Sequence, residues 1–366
     1  MKKQIFNLIL VTTIFYAGNN VVAQTTSQTD FKSYSKFDFV PGEQVIYFDD
    51  FSQDAVGDFP AKWNTTASGE VVTLSTHAGK WLKWVQNAYG NAYSPLLKNT
   101  FPDNFTLEFD VIATHHPDTD VPNFYVLIFS SQDKNLDASN QVGQAGVNGR
   151  FLDGWTVTNW SEQGDNATGS ITPMNMDTQF GKIIHFSFWI QKQRMRVYMN
   201  EAKVLDLPRV IPENYKYNKI NFVNVTPEGS GDIFISNIRI AVGAPDMRNK
   251  LITEGKLVTH GILFDVNSDK IKSESYGTLN EISQVLKDNP TVKVKITGHT
   301  DSDGDDKSNL DLSKRRAASV KNSLSKDFGI DVTRMETDGK GESEPASPNT
   351  STEGKANNRR VEFIKL

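Results

Sequence analysis

The sequence predicts two domains, an all-β sandwich of jelly-roll type followed by an α/β sandwich with helices packed on a mixed sheet. Two observations carry this. Short strand-like runs, uninterrupted by a long helix, fill residues 44–243, and strands alternate with helices from residue 256 to 366. A chain of 366 residues also exceeds one ordinary domain, and its 37% hydrophobic and 10% aromatic content can fill two cores.

The chain starts with the layout of a secretion signal over residues 1–23. Lys2 and Lys3 give a positive start, Ile5 to Phe15 an apolar run, and Val21-Val22-Ala23 a small-residue cleavage site. Asn7 and Thr12-Thr13 break the run, which is too short for a membrane span, so cleavage is expected. Residues 24–43, rich in Ser, Thr and Gln, read as a flexible leader. There is no cysteine, so neither a disulfide nor a lipid-bearing N-terminal cysteine can serve an exported chain. With a net charge of −5 and no strongly basic half, nucleic acid is not an expected partner.

Within residues 44–243, Phe105, Leu107, Phe109 and Val111 alternate with polar residues, the pattern of a half-buried strand. Phe124 to Phe129 is apolar on both faces, as in a central strand. Phe186 to Ile190 and Arg196 to Met199 flank a polar turn, Asn200-Glu201 turns the chain again, and Ile233 to Ile240 reads as a closing strand. All six tryptophans (Trp63, Trp81, Trp84, Trp155, Trp160, Trp189) fall here, where large aromatics either fill a core or stack on sugars.

Residues 244–255, opening with Ala244-Pro245, read as a linker. A strand from Leu257 to Asp265 then leads to a helix over Ser273 to Asp288, with Leu279, Ile282, Val285 and Leu286 on one face, stopped by Asn289-Pro290. Val292 to Ile296 is the next strand. A second helix over Ser308 to Lys326 buries Ala317, Val320 and Leu324. A strand near Arg334 to Asp338, a helix near Thr352 to Asn358 and a strand from Val361 to Leu366 complete the chain.

Ligands of open α/β sheets sit beyond the C-terminal ends of strands. Two such ends are polar here, Phe264-Asp265 and Thr300-Asp301. Asn309 stands at the entrance of the second helix and Arg316 in its first half, facing the same rim. A carboxylate and a guanidinium at one rim suit a zwitterion, Asp301 accepting from an ammonium and Arg316 gripping a carboxylate in its fork.

The run TGHTDSDGDDKSNLDLSKRRAASV (297–320), the GKGESEP run (339–345) and NNRRVEF (357–363) closely resemble the OmpA-like C-terminal family, over about Lys256 to Leu366. That family includes peptidoglycan-associated lipoproteins and flagellar-motor stator proteins. The resemblance implies non-covalent binding of peptidoglycan through the diaminopimelate of its stem peptide. In the family, the residue matching Asp301 takes the amine and that matching Arg316 the carboxylate. Backbone near Phe264 and Asp265 and the positions of Asn309 and Leu312 also line the family's pocket. Arg359 and Arg360 match as well, and read as structural. The implied partner is peptidoglycan, and the implied location is the periplasm at the wall and outer membrane of a Gram-negative bacterium. No cofactor and no metal are implied. The loop Ser302 to Asp306 is more acidic than in many members. Its Asp301-x-Asp303-x-Asp305 spacing resembles a calcium loop but lacks the glycine at the sixth place and the glutamate at the twelfth, where Leu312 stands. His299, and the pair His115-His116, lack the partners of a metal or catalytic site.

The β domain resembles concanavalin-like or laminin-G-like jelly rolls more loosely. A partner for it would be a glycan or an outer-membrane or periplasmic protein. Two rivals stand beside this: a wall-anchored jelly-roll glycoside hydrolase and an outer-membrane β-barrel. Glu108-Phe109-Asp110 opens a hydrolase-like E-x-D motif, but Ile112 and Ala113 stand where the third acid belongs, so Glu108 and Asp110 read as solvent-facing strand residues and no enzyme is expected. The strands are also short for a barrel, and Phe124 to Phe129 has no polar lumen face.

Overall fold

A computed structural model describes residues 37–85, 90–131, 145–151, 155–161, 164–171, 178–243 and 246–366. The expected secretion signal, the leader up to residue 36 and Ala244-Pro245 lie outside the described residues.

Fifteen strands come first among them: β1 (Gln44–Asp49), β2 (Trp63–Thr65), β3 (Gly69–Thr73), β4 (Lys80–Trp84), β5 (Asn91–Pro95), β6 (Asn104–Ala113), β7 (Phe124–Ser130), β8 (Ala145–Phe151), β9 (Trp155–Ser161), β10 (Gly164–Ile171), β11 (Ile184–Gln191), β12 (Arg194–Met199), β13 (Ala202–Leu207), β14 (Lys219–Asn224) and β15 (Ile233–Val242). They form two antiparallel sheets. One runs β13-β12-β11-β6-β15-β4-β3 with β1 also paired to β15, the other β10-β9-β8-β7-β14-β5-β2. Neither sheet closes on itself, so the described strands make no barrel.

The sheets pack face to face. Phe109 of β6 lies 5.1 Å from Phe186 of β11, stacked, and meets Phe222 of β14 edge-on at 5.0 Å. Trp84 stacks on Tyr93 at 5.0 Å across the same interior. Alternation along β6 sends Phe105, Leu107, Phe109 and Val111 into this core. Its other face, however, is also buried: Thr106, Glu108, Asp110 and Ile112 are all at most 6% exposed. β6 is therefore not half-buried, because other parts of the chain cover its outer side. β7 is central, as its two apolar faces predict, between β8 and β14. β15 does not close an edge. It pairs with β6 on one side and with β1 and β4 on the other.

The C-terminal part has the predicted alternation. β16 (Lys256–Thr259), α1 (Tyr276–Asp288), β17 (Val294–His299), α2 (Asp306–Lys326), β18 (Met335–Gly341), α3 (Thr352–Asn358) and β19 (Val361–Lys365) give a mixed sheet of order β16-β19-β17-β18, with β17 and β18 parallel. Leu279, Ile282, Val285 and Leu286 of α1 and Ala317, Val320 and Leu324 of α2 are buried against it, as their spacing predicts. Asp305 caps α2 by accepting from the Ser308 amide at 3.0 Å, and Ser351 caps α3 at the Gly354 amide. The first strand is shorter than predicted. The Thr259 hydroxyl takes the Gly261 amide, the chain turns at Gly261 where an added Cβ would lie 2.2 Å from the Thr278 hydroxyl, and Phe264 rejoins only a bridge to Ile271.

The described parts of the expected leader and linker, residues 37–43 and 246–255, are packed. Phe37 and Phe39 sit against Tyr198 of β12, and Phe39 meets the half-buried Trp189 at 6.1 Å. Val40 enters the C-terminal core beside Met247 and Leu251, the latter in a π-helical turn over Asn249–Thr253. This strap crosses Gly277 so closely that a Cβ there would fall 2.2 Å from the Phe39 carbonyl oxygen. Residues 35–366 thus pack as one compact unit. Asn357 of α3 joins its two layers, accepting from the Val45 amide at 3.0 Å and donating to the Val45 carbonyl at 2.9 Å.

Phe109 touches aromatic rings from both sheets, so truncation leaves a void that neither can fill. Phe109→Ala is expected to cost about 3–5 kcal/mol in urea unfolding; a loss below about 1 kcal/mol would show that this core is not close-packed.

Candidate functional site

β17 delivers Thr300 and Asp301 to the rim of the C-terminal sheet, where the Thr300 amide donates to the Gly341 carbonyl at 2.9 Å. Asn309, on the first turn of α2, donates to the carbonyls of Asp301 (3.3 Å) and Asp303 (3.1 Å) and to Glu342. It fixes the acidic loop in place. Two of the loop's own acids are engaged: Asp303 pairs with Lys355 at 2.6 Å, and Asp305 is the cap of α2.

Asp301 is 7% exposed, and its carboxylate is paired with Arg359, not with Arg316. Arg359 in turn lies over the Phe48 ring of β1, 5.0 Å from its centre. Arg316 packs on Phe264 at 4.9 Å and donates from Nε to the Ser268 carbonyl at 2.9 Å. No described carboxylate lies within 4 Å of it. Burial and the neighbouring charge of Arg359 lower its pKa to about 10, against the pull of Asp301, so it keeps its proton at neutral pH. A partly buried guanidinium with no anionic partner among the described residues is free to take a carboxylate in its fork.

Of the residues singled out in the sequence, Asp301, Arg316, Asn309, Phe264, Thr300 and Leu312 line one cavity of about 420 Å³. Asp265 does not. The chain turns sharply there, the Asp265 amide donating to the Lys270 carbonyl at 3.2 Å, and its carboxylate pairs with Lys270 on the outside.

The opposite wall comes from the sandwich, which sequence reasoning missed. Glu108, Asp110, His185, Asn237 and Arg239 project from β6, β11 and β15 into the same cavity. Glu108 and Asp110 are therefore not solvent-facing. His185 stands beside Asp110 in the ladder and bonds it through Nδ1 at 2.6 Å, Asn237 donates to the other Asp110 oxygen at 2.7 Å, and Arg239 pairs with Glu108. Burial alone would lower the His185 pKa, but the two carboxylates outweigh it and push it up to about 10. Burial likewise works to raise Glu108 and Asp110, yet Arg239 and His185 hold Glu108, and His185 and Asn237 hold Asp110, below the usual carboxylate range. A glycosidase needs one carboxyl kept protonated near neutral pH, and this pair supplies none. No local pattern links residues 108, 185 and 239; only the pairing of their strands does.

The remaining candidates are locally engaged. His115 and His116 bond the carbonyls of Thr119 and Gly229, and His299 is buried beside Glu362. Trp63, Trp81, Trp84 and Trp160 are buried, and Arg196 stacks on Trp189 at 4.6 Å. The Trp155 side chain is outside those described.

Residues 263–359 match the OmpA family. This part of the chain is OmpA-like. It is 39% identical over 101 residues to outer membrane porin F of Pseudomonas aeruginosa, covering 28% of this chain and 29% of the porin. It is 40% identical over 104 residues to the probable lipoprotein YiaD of Escherichia coli, covering 28% of this chain and 47% of that protein. The chain thus spans less than half of either relative. Among solved structures, the peptidoglycan-associated lipoprotein from Burkholderia pseudomallei aligns at 26% identity over 33% of this chain and 98% of that one, with a TM-score of 0.28.

His185 binds its proton more tightly in the fold than in the open chain. Its contribution to stability is complete below about pH 6.5, the ordinary histidine value, and is lost as pH rises towards about 10. The urea midpoint of the wild type is expected to fall over that window more than that of His185→Gln; parallel pH profiles would count against the ionised cluster.

Proposed function

We propose that the OmpA-like layer binds peptidoglycan reversibly through the diaminopimelate of a stem peptide, and so tethers the sandwich to the wall from the periplasmic side of the outer membrane. The observation that carries this reading is Arg316, a partly buried guanidinium with no carboxylate of its own among the described residues, beside Asp301. Arg316 would grip the carboxylate of the ligand's amino-acid centre, with Phe264 holding the plane of the fork. Asp301 would accept from the ammonium, sharing its oxygens with Arg359. Asn309 keeps Asp301 at that spot through the backbone, and Thr300 and Leu312 shape the pocket floor. No bond is made or broken.

The match over residues 263–359 and the outer-membrane and lipoprotein names of the relatives support the location and the wall partner. We read the sandwich as a jelly roll of the concanavalin or laminin-G kind, held near the wall by the layer behind it and free to meet a glycan or protein there.

In co-sedimentation with purified peptidoglycan, Asp301→Ala and Arg316→Ala are each expected to weaken binding at least tenfold, since each removes a charge-assisted contact of about 1.5–3 kcal/mol. Unchanged sedimentation in both folded variants would refute the reading.

A further inference from the structure

A second cavity, of about 850 Å³, lies on the other side of the Asp301 loop. Its walls come from both layers: β1 and the segment Leu96 to Phe101 of the sandwich, and the stretch Asn349 to Lys355 that enters α3. The two cavities share a wall. Ser302, next to Asp301, donates its amide to Asn349 Oδ1 at 3.3 Å, and Asp303, which lines the first cavity, pairs at 2.6 Å with Lys355, which lines the second.

The larger cavity mixes apolar and polar walls, and some of its polar groups are unspent. Lys62 is engaged with Thr352 at 2.7 Å and with Glu353, and Asn349 holds the loop. Lys98, Asn99 and Thr350 are exposed, and their side chains have no hydrogen bond or ion pair with any described residue. Leu96, 54% exposed, adds an apolar strip. An ammonium, an amide and a hydroxyl beside a small apolar surface match the hydroxyls, acetamido carbonyl and methyl of an N-acetylated sugar. The volume is that of a small-molecule site, within the usual range of about 300–1,000 Å³.

We infer that this cavity is a saccharide site, and that it takes the N-acetylated disaccharide of the strand whose stem peptide occupies the Asp301–Arg316 seat. The inference rests on the reading of that seat. A stem peptide is covalently attached to its glycan, so a ligand seated in the first cavity brings its sugars to the rim, and part of that rim is Asp303, whose partner Lys355 lines the second cavity. Linking two subsites on one molecule raises affinity without strengthening either alone.

The test uses the full chain and two synthetic ligands in calorimetry: the stem tripeptide ending in diaminopimelate, and the same tripeptide carrying its N-acetylglucosaminyl-N-acetylmuramyl disaccharide. The wild type is expected to bind the second about tenfold more tightly. Lys98→Ala/Asn99→Ala is expected to cut that advantage below twofold while leaving the tripeptide affinity unchanged. Thr350→Trp, which fills the cavity from an exposed position, is expected to do the same. Equal affinities of the wild type for both ligands would overturn the saccharide site and leave the peptide seat standing, as would an advantage that survives both variants. Failure of the tripeptide to bind the wild type would strike the seat itself, and failure of both ligands would remove the two readings together.

Discussion

Glu108 and Asp110 leave the sandwich on its outer face and end up buried, in the wall of the cavity shared with the C-terminal layer. Two buried carboxylates are tolerable only when each is matched. Arg239 and His185 provide that match from the strands on either side, and Asn237 satisfies the remaining oxygen. Once this cluster is closed, the outer face of β6 becomes a surface onto which a second layer can settle without stranding a charge. Asn357 then binds the backbone of Val45, and Phe48 receives the Arg359 guanidinium that pairs with Asp301. The geometry of the rim is thereby tied to the sandwich and not to the OmpA-like fold alone.

Much of the C-terminal layer was legible in the sequence because its signals are local. The helices α1 and α2 advertise their buried faces by spacing, Asn289-Pro290 and Asp305 punctuate them, and Asp301 and Arg316 are brought to one rim by a strand end and a helix start that the sequence marks plainly. Asp265 lies outside the cavity because the strand before it stops at Thr259, and a turn sends its side chain outward. Arg359 reads as structural from its motif and pairs with Asp301 within the chain; a motif position cannot tell which of two arginines a carboxylate will choose.

The sandwich was legible as strands and not as a surface. Alternation in β6 identifies two faces but says nothing of what lies beyond the polar one, and the ordinary reading of polar residues is exposure. What reverses it is 75 residues or more away in sequence: His185 and Arg239 beside Glu108 and Asp110, and a whole layer behind them. The packed strap over Phe37 to Val40 was hidden for the same reason, since a Ser-rich stretch masked three apolar residues whose partners are Tyr198, Trp189 and the C-terminal core.

That strap has a consequence for how the molecule is made. Phe37 to Val40 emerge early from the ribosome, yet the groove that receives them is lined by Gly277 and closed by residues synthesised more than two hundred positions later. Contacts of such separation form slowly, after long loops have been drawn together. Phe37 to Val40 must therefore wait, uncovered, for the last layer to arrive.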